Sequence, residues 1–398
     1  MTGTVSVDEA RRLIIEAVAP LPAETLGLDE AAGRVLAETV RAQIDQPPFD
    51  ASAMDGYAVR LSDCAVGARL RVIGEASAGG RFRGEVAAGT AIRIFTGAPV
   101  PVGADHVLIQ EEAERSGGAI AIKAAQAGAA NIRRAGIDFE RGAVLGEAGD
   151  RLTGARLALI AAGNVTSLSV AQRPRVALIA NGDELVLPGA TLGADQIVCS
   201  IPAGLGPMIH SWGGAPRFLG IARDDPADIA ALIDRARGFD LVVPIGGASV
   251  GDRDFMRAAF EAAGLAPIFE KVSLRPGKPT WFGRLGASFV LGLPGNPASA
   301  LVSARLFLKP AIKQMLWRSG DEQVVMARTL ALLGANGARE TFLRARFSGD
   351  DDGVTCVTAF ADQDSSLLRV LAHSDALIRR PANAPQCSAG ALVPCLRI

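Results

Sequence analysis

Five short stretches carry residues suited to chemistry, and each follows an apolar run. Asn181-Gly182-Asp183-Glu184 follows RVALIA, Arg223-Asp224-Asp225 follows RFLGIA, and Gly246-Gly247-Ala248-Ser249-Val250-Gly251-Asp252-Arg253-Asp254 follows FDLVVPI. Arg275-Pro276-Gly277-Lys278-Pro279 follows EKVSL, and Pro294-Gly295-Asn296-Pro297 follows FVLGL. A Gly-Gly run that opens onto a helix aims backbone N–H groups at an anion. Carboxylates gathered from several loops make an oxygen set for a hard divalent cation. Lys278 and Arg275 can neutralise phosphate or oxyanion charge, and with lysine only at 123, 271, 278, 309 and 313 a lysine inside a motif stands out. The set suits a phosphate-bearing ligand, Mg2+, and a transfer or cleavage at phosphorus. Singly, each stretch has a plainer reading: a tight turn at Gly246-Gly247, a solvated turn at 181–184, a helix cap at Asp225. Cys199 and His210 read as packed side chains. Agreement among five loops is what argues for a site.

The elements around these loops predict how they meet. RVALIA, RFLGIA, FDLVVPI, PIFEKVSL and SFVLGL read as strands, alternating with helices that end near Trp212, start at Asp225-Pro226, span about 253–263, and start at Asn296-Pro297. Continuous apolar strands separated by helices predict a doubly wound, mostly parallel sheet. Ligands then bind beyond the carboxyl ends of its strands. Before this part, Ser6-x-x-Glu9 caps a helix over 6–19, a second short helix is expected at 29–40, and a third at 154–162. Between about 46 and 138, short apolar runs separated by glycine turns predict a β-rich domain. RETFLRARF, GVTCVTAF and ALVPCLRI predict a small β domain from about 325 to 398.

Composition narrows the class. Length alone calls for several domains. A net charge of −1 argues against nucleic-acid or anionic-membrane partners. Five scattered cysteines without CxxC spacing, and three isolated histidines, argue for a reducing compartment and against a thiolate or histidine metal site. The first residues lack an apolar signal core and no run reaches transmembrane length, so a cytoplasmic location is expected.

One stretch stays unexplained by these elements. DASAMDGYAV, residues 50–59, places Asp55-Gly56 ahead of the chain's only tyrosine. The pair reads as a turn that holds a carboxylate outward, with a strand starting at Tyr57.

PPFDASAMDGYAV, IFTGAPVPVGADHVLIQEE, NIRRAGIDFERG, GDRLT, NGDEL, GGASVGDRDF, RPGKP and LPGNPASAL stand in one order across residues 47–309. With them the sequence resembles the molybdopterin molybdenumtransferases, the MoeA family that includes the gephyrin E domain. The resemblance implies a multidomain fold: a helical dimerisation part (1–45 and 139–174), an inserted β-rich domain (46–138), a molybdopterin-binding α/β domain (175–322) and a C-terminal β-barrel (323–398). It implies insertion of molybdenum from molybdate into adenylylated molybdopterin, assisted by Mg2+, giving molybdenum cofactor and AMP. By motif, Asp55, Thr96, Asp138, Glu184, Asp224, Asp254, Lys278 and Ser365 match positions the family uses, with Glu184, Asp224 and Asp254 holding the metal. Pro294 and Pro297 shape the loop bordering the pterin, and Gly246, Gly247, Ser249, Gly251, Asp252, Arg275, Gly295 and Asn296 complete the ligand-binding set. The resemblance also implies a homodimer with composite sites, and as partners the molybdopterin adenylyltransferase and recipient molybdoenzymes.

The chain departs from the family pattern at three places. Ile137 stands for an acid, Asn181 for a threonine, and Cys199-Ser200-Ile201 for Asp-Ser-Asn. The last change motivates an alternative of another class, a non-catalytic protein that binds molybdopterin or finished cofactor. Without the resemblance, a Mg2+-dependent nucleotide phosphotransferase also stays open, although no Walker-type glycine loop is present.

Overall fold

The computed structural model describes residues 3–126, 130–246, 255–317, 324–349 and 353–398. By internal contacts the chain forms two compact units. One comprises residues 1–24, 33–37 and 170–398, the other residues 25–32 and 38–169.

Helix α1 (Val7–Ala17) opens the first unit, with Ser6 Oγ accepting the Glu9 N–H at 3.1 Å as the capping pattern predicts. The second short helix, expected at 29–40, does not form. Gly33 takes a left-handed φ of +74°, which interrupts helical backbone, and Leu36 instead bridges Val170.

The second unit is β-rich, as expected. Its main sheet uses β1 (Gly56–Val59), β2 (Arg69–Ala76), β3 (Thr90–Ile94), β4 (His106–Ile109), β5 (Ala113–Ser116) and β6 (Ala119–Ile122), in the order β4-β1-β3-β2-β6-β5. Helix α2 (Gly154–Ala162) follows, capped by the Thr153 hydroxyl.

The rest of the first unit begins with β7 (Arg175–Asn181), α3 (Ile201–Trp212), β8 (Ala215–Ala222), α4 (Pro226–Arg235), β9 (Leu241–Ile245) and α5 (Phe255–Ala262). Strands β10 (Ala266–Phe269), β11 (Trp281–Leu285) and β12 (Ser288–Gly292) complete a six-stranded sheet, β8-β7-β9-β12-β11-β10. The strands β8, β7, β9 and β12 run parallel. Val176 and Leu178 of β7 enter one core with Leu205 and Ile209 of α3, while Ala177 and Ile179 enter another with Ile229 and Ile233 of α4. Burial on both faces explains the continuous apolar strands.

PIFEKVSL is not a fourth parallel strand. Only Ala266–Phe269 joins this sheet, antiparallel and at its edge, beside the unpredicted hairpin β11–β12. Lys271-Val272 instead pairs with Thr4-Val5, and Leu274-Arg275 with Glu340-Thr341. A strand between Ser288–Gly292 and the edge satisfies both neighbours, so the 271–275 backbone must find its partners elsewhere.

After the hairpin come α6 (Pro297–Ser303), a π-helical segment (Ala304–Leu308) and α7 (Lys309–Met315), one continuous run. Strands β13 (Val324–Thr329), β14 (Glu340–Gly349), β15 (Thr355–Ala359), β16 (Ala376–Arg380) and β17 (Leu392–Arg397) then close on themselves. Their order is β14-β15-β13-β17-β16, and β16 pairs back to β14, giving a five-stranded barrel. Closure leaves its strands without a free edge. No helix among the described residues is long and apolar enough to cross a membrane.

Candidate functional site

The carboxyl ends of β7, β8, β9 and β12 meet in the manner the parallel order requires. Gly182 N–H donates to the Ala222 carbonyl at 3.1 Å, and Gly246 N–H to the Leu293 carbonyl at 3.1 Å. Gly246 has φ +99°, and a Cβ there would press on the Asn181 carbonyl at 3.1 Å and on its Oδ1 at 3.3 Å. A Cβ on Gly295 would lie 3.5 Å from the Gly246 Cα. The two backbones therefore pass close together, and glycine at 246 is what the close approach demands.

A cavity of about 680 Å³ opens at this edge, within the size range of small-molecule sites. Asn181, Glu184 and Gly246 line one side, Pro294, Gly295, Asn296 and Pro297 another, and the stretch from Ile197 to Ile201 a third, with Pro279 and Ser366 at the margin. Strand pairing of Leu185-Val186 with Ile197-Val198 places the third wall.

Charge is organised around Asn181, which is 5% exposed. Its Nδ2 donates to Asp224 Oδ1 at 2.8 Å, and the Asp183 carboxylate accepts the Asp224 backbone N–H at 3.1 Å. A carboxylate only accepts, so Asp224 fixes the amide orientation and turns Asn181 Oδ1 towards Gly246. That oxygen is buried and has no hydrogen-bond partner among the described residues. Glu184 folds back over Gly182, whose φ is +149°, and a Cβ at 182 would fall 2.8 Å from the Glu184 Cδ.

These donors suit a hard cation. The Asn181 amide gives its nitrogen to Asp224 and leaves its oxygen without a partner among the described residues, and Glu184 lines the same cavity. Among the described residues no group of three or more His, Cys, Asp or Glu gathers that could hold a metal. Mg2+ needs no such cage, since it commonly takes one or two carboxylates and completes its shell with water and phosphate oxygens. The residues present therefore fit Mg2+.

The expected residues are distributed unequally. Glu184, Gly246, Pro294, Gly295, Asn296 and Pro297 meet at the cavity, with Asp224 tied to it through Asn181. Ser365 accepts a hydrogen bond from Asn296 Nδ2 at 2.8 Å, and it is the neighbouring Ser366 that lines the cavity. The Asn296 side chain therefore reaches Ser365 and does not cap α6. Arg275, at the end of the short Leu274–Arg275 strand, and Lys278, in the turn after it, are exposed, and Pro279, alone of the motif, lines the cavity. Gly277, at φ +118°, seats this loop against Leu274, 2.9 Å from where its Cβ would stand. Gly247, Ser249, Gly251, Asp252 and Asp254 lie outside the described residues. Asp225 is the α4 cap, accepting from Ala227 and Asp228.

Cys199 is packed, at 7% exposure, yet it lines the cavity, and burial raises its thiol pKa so that it stays neutral. His210 is exposed in the last turn of α3, so its packed reading does not hold.

In the second unit the structure joins Asp55 and Thr96. Asp55 Oδ1 accepts both the backbone N–H and the hydroxyl of Thr96, each at 2.7 Å. These bonds, backbone first, hold its pKa below the usual carboxylate value. Gly56 is wedged between β3 and β4, where a Cβ would strike the Leu108 backbone. Asp138 is exposed, and its N–H donates to the Gln46 carbonyl at 3.0 Å.

Asn181→Asp would place a second carboxyl against Asp224 in a buried position. Burial and the like charge raise its folded pKa above the unfolded value, so the variant is close to wild type at low pH and loses stability as pH rises. Urea midpoints should separate more at pH 8 than at pH 5, and a constant gap would show that the two side chains do not face each other.

Comparison with known proteins places this arrangement. Residues 5–163 match the MoeA N-terminal region (domain I and II), residues 177–314 the probable molybdopterin binding domain, and residues 327–398 the MoeA C-terminal region (domain IV). A molybdopterin molybdenumtransferase of Haemophilus influenzae is 35% identical over 98% of this chain and 97% of its own length. One from a Nostoc species is 32% identical over 100% of this chain and 94% of its own. The molybdopterin biosynthesis MoeA protein of Pyrococcus horikoshii superposes with a TM-score of 0.85 at 31% identity, covering 99% of both chains. With its barrel, its α/β sheet and its full-length relatives in agreement, the chain belongs to the MoeA family of molybdopterin molybdenumtransferases.

Proposed function

We propose that this protein carries out the molybdenum insertion step of molybdenum cofactor synthesis, in which adenylylated molybdopterin and molybdate give molybdenum cofactor and AMP. The observation that carries the reading is the cavity at the carboxyl edge of the parallel sheet, in the part of the chain that matches the molybdopterin binding domain. Its walls at 197–201 and 294–297 would hold the pterin, with Pro294 and Pro297 giving the second wall a fixed shape. Glu184, Asp224 and Asp254 would hold Mg2+, with Asn181 Oδ1 as a neutral fourth oxygen. Bound there, Mg2+ supplies charge neutralisation on the pyrophosphate oxygens.

The chain's own groups do the remaining work. Lys278 and Arg275 bring positive charge to the phosphates and to molybdate, a small dianion. Gly247, Ser249, Gly251 and Asp252 would offer backbone and side-chain contacts to the phosphates. Asn296 and Ser365 brace the pterin wall through their mutual hydrogen bond. Asp55, kept ionised by Thr96, is a fixed acceptor, and Asp138 a second exposed acid. We propose further that the protein works as a cytoplasmic homodimer, each site combining Asp55, Thr96 and Asp138 of one subunit with the α/β cleft of the other, in a closed two-fold arrangement. The molybdopterin adenylyltransferase would supply its substrate and molybdoenzymes would receive its product.

One observation favours a second reading. Cys199 and Ile201 line the cavity where the family pattern has an acid and an amide, which suits a carrier that binds the pterin without turnover.

Purified protein incubated with adenylylated molybdopterin, molybdate and Mg2+ should release AMP in a molybdate-dependent manner, and Glu184→Gln should abolish this while leaving the unfolding midpoint unchanged. Binding without AMP release would establish the carrier. Restoring Asp at 199 together with Asn at 201 should tighten pterin binding by roughly tenfold, the worth of about one good hydrogen bond to a charged group. Unchanged affinity would mean that this wall does not face the pterin. Mixed dimers of Asp55→Ala and Glu184→Gln chains should regain activity that neither homodimer shows, since one site per dimer keeps both acids. Confirmed mixed dimers without activity would place both acids in one subunit.

A further inference from the structure

The turn that presents Asp55 is braced by a side chain that no motif marks. Arg93 lies in β3, directly opposite Tyr57 in the antiparallel pair with β1. Its guanidinium stands 5.2 Å from the centre of the Tyr57 ring and 4.8 Å from that of Phe95. One Nη donates to the Gly56 carbonyl at 3.1 Å, and the other to Gln110 Oε1 at 2.9 Å. Gln110 in turn donates its backbone N–H to the Asp55 carbonyl at 3.1 Å. Both carbonyls of the Asp55-Gly56 turn thus belong to one network centred on Arg93, one directly and the other through Gln110.

The same stretch of chain reaches the Asp55 side chain. Three residues beyond Arg93, Thr96 supplies the two donors to Asp55 Oδ1. After the Thr96 backbone and hydroxyl bonds, the nearby Arg93 charge also favours the ionised carboxylate. Gly56 is buried within β1, but Asp55 before it is exposed and has little packing of its own to keep one geometry. A guanidinium held by two rings and forked between two acceptors has a single orientation, which a lysine ammonium cannot reproduce.

We propose that Arg93 is a positioning residue for the molybdenum insertion reaction: by clamping Gly56 and Gln110 it fixes the backbone from which Asp55 projects. The inference rests on the reading of Asp55 as a member of the reacting site, and it assigns Arg93 an action through the turn.

Arg93→Met keeps an apolar stem over the rings and removes both the fork and the charge. It is compared with Arg93→Lys, Asp55→Asn and the double variant Asp55→Asn/Arg93→Met, all as the full chain. Two readouts are taken: kcat and KM for molybdate-dependent AMP release, and the Asp55 carboxyl titration with the Thr96 amide shift in aspartate- and threonine-labelled protein. Arg93→Met should lower kcat by roughly 10- to 100-fold, the usual cost of a misplaced reacting group. It should leave KM near wild type, raise the Asp55 titration midpoint and shift the Thr96 amide. Arg93→Lys should recover the midpoint, because the charge remains, but only part of kcat. In the Asp55→Asn background the Arg93 change should cost nothing further.

Wild-type kcat in Arg93→Met, or unchanged Asp55 and Thr96 signals, overturns the proposal. So does an equal loss from Arg93→Met with and without Asp55. Should Arg93→Met not fold, Arg93→Lys decides: full kcat with an unmoved Thr96 amide overturns the proposal, and a partial kcat with a shifted amide supports it. If Asp55→Asn turns over normally, the role of Asp55 in the reaction falls and the kinetic part of the Arg93 proposal falls with it. The Asp55 and Thr96 signals still decide separately whether Arg93 sets the turn.

Discussion

The hydrogen bond from Asn181 Nδ2 to Asp224 ties together the ends of two adjacent parallel strands, and much of the cavity edge follows from it. Parallel strands deliver their following loops to the same edge of the sheet, so side chains and backbones crowd there. The chain accommodates the crowding in two ways. Glycine at 246 lets backbones pass where a Cβ would press on Asn181, and a short amide at 181 converts proximity to Asp224 into a directed bond. Because Asp224 can only accept, the opposite end of that amide has to present an oxygen. The acceptor character of this edge is therefore a consequence of the strand order.

The two units hold their acids by different means. Asp224, half-buried in the loop after β8, is held by the Asn181 side-chain amide and, through its backbone N–H, by Asp183. Asp55 is exposed and fixed by backbone and hydroxyl donors from Thr96, with Gly56 wedged between strands immediately after it. In both cases one carboxylate oxygen is engaged by the protein, which orients the other. Oriented carboxylates at the start of a loop are more useful to chemistry than mobile ones, because the cost of ordering them has been met by folding.

Sequence patterns revealed the α/β part best where burial acts on both faces. RVALIA and FDLVVPI are nearly continuous apolar runs because β7 and β9 bury both faces, while RFLGIA forms the edge strand β8 with Phe218 exposed; glycine, proline and charged residues after the three runs marked their loops. The hairpin β11–β12 was half hidden: TWFGRL mixes bulky and charged residues in the antiparallel part of the sheet, next to the edge strand β10, and its pairing with Ser288–Gly292 is set by the Gly286 turn. The helix expected at 29–40 has helical spacing of apolar residues, but a left-handed glycine at 33 and the Leu36–Val170 bridge override it. At the site, glycine and proline motifs marked the loops, while Ser366 and Pro279 carried no signal that set them apart from their neighbours. Arg93 was invisible for a different reason: its partners lie across strands and are brought near it only by the sheet register.

The proposed function puts the substrate at the carboxyl edge of the parallel sheet, between the 197–201 and 294–297 walls. A crystal structure of the protein with adenylylated molybdopterin tests it most directly. The pterin should lie between those walls, with its pyrophosphate on the side of Glu184 and Asn181. A pterin bound elsewhere, with this cavity filled by water alone, would contradict it.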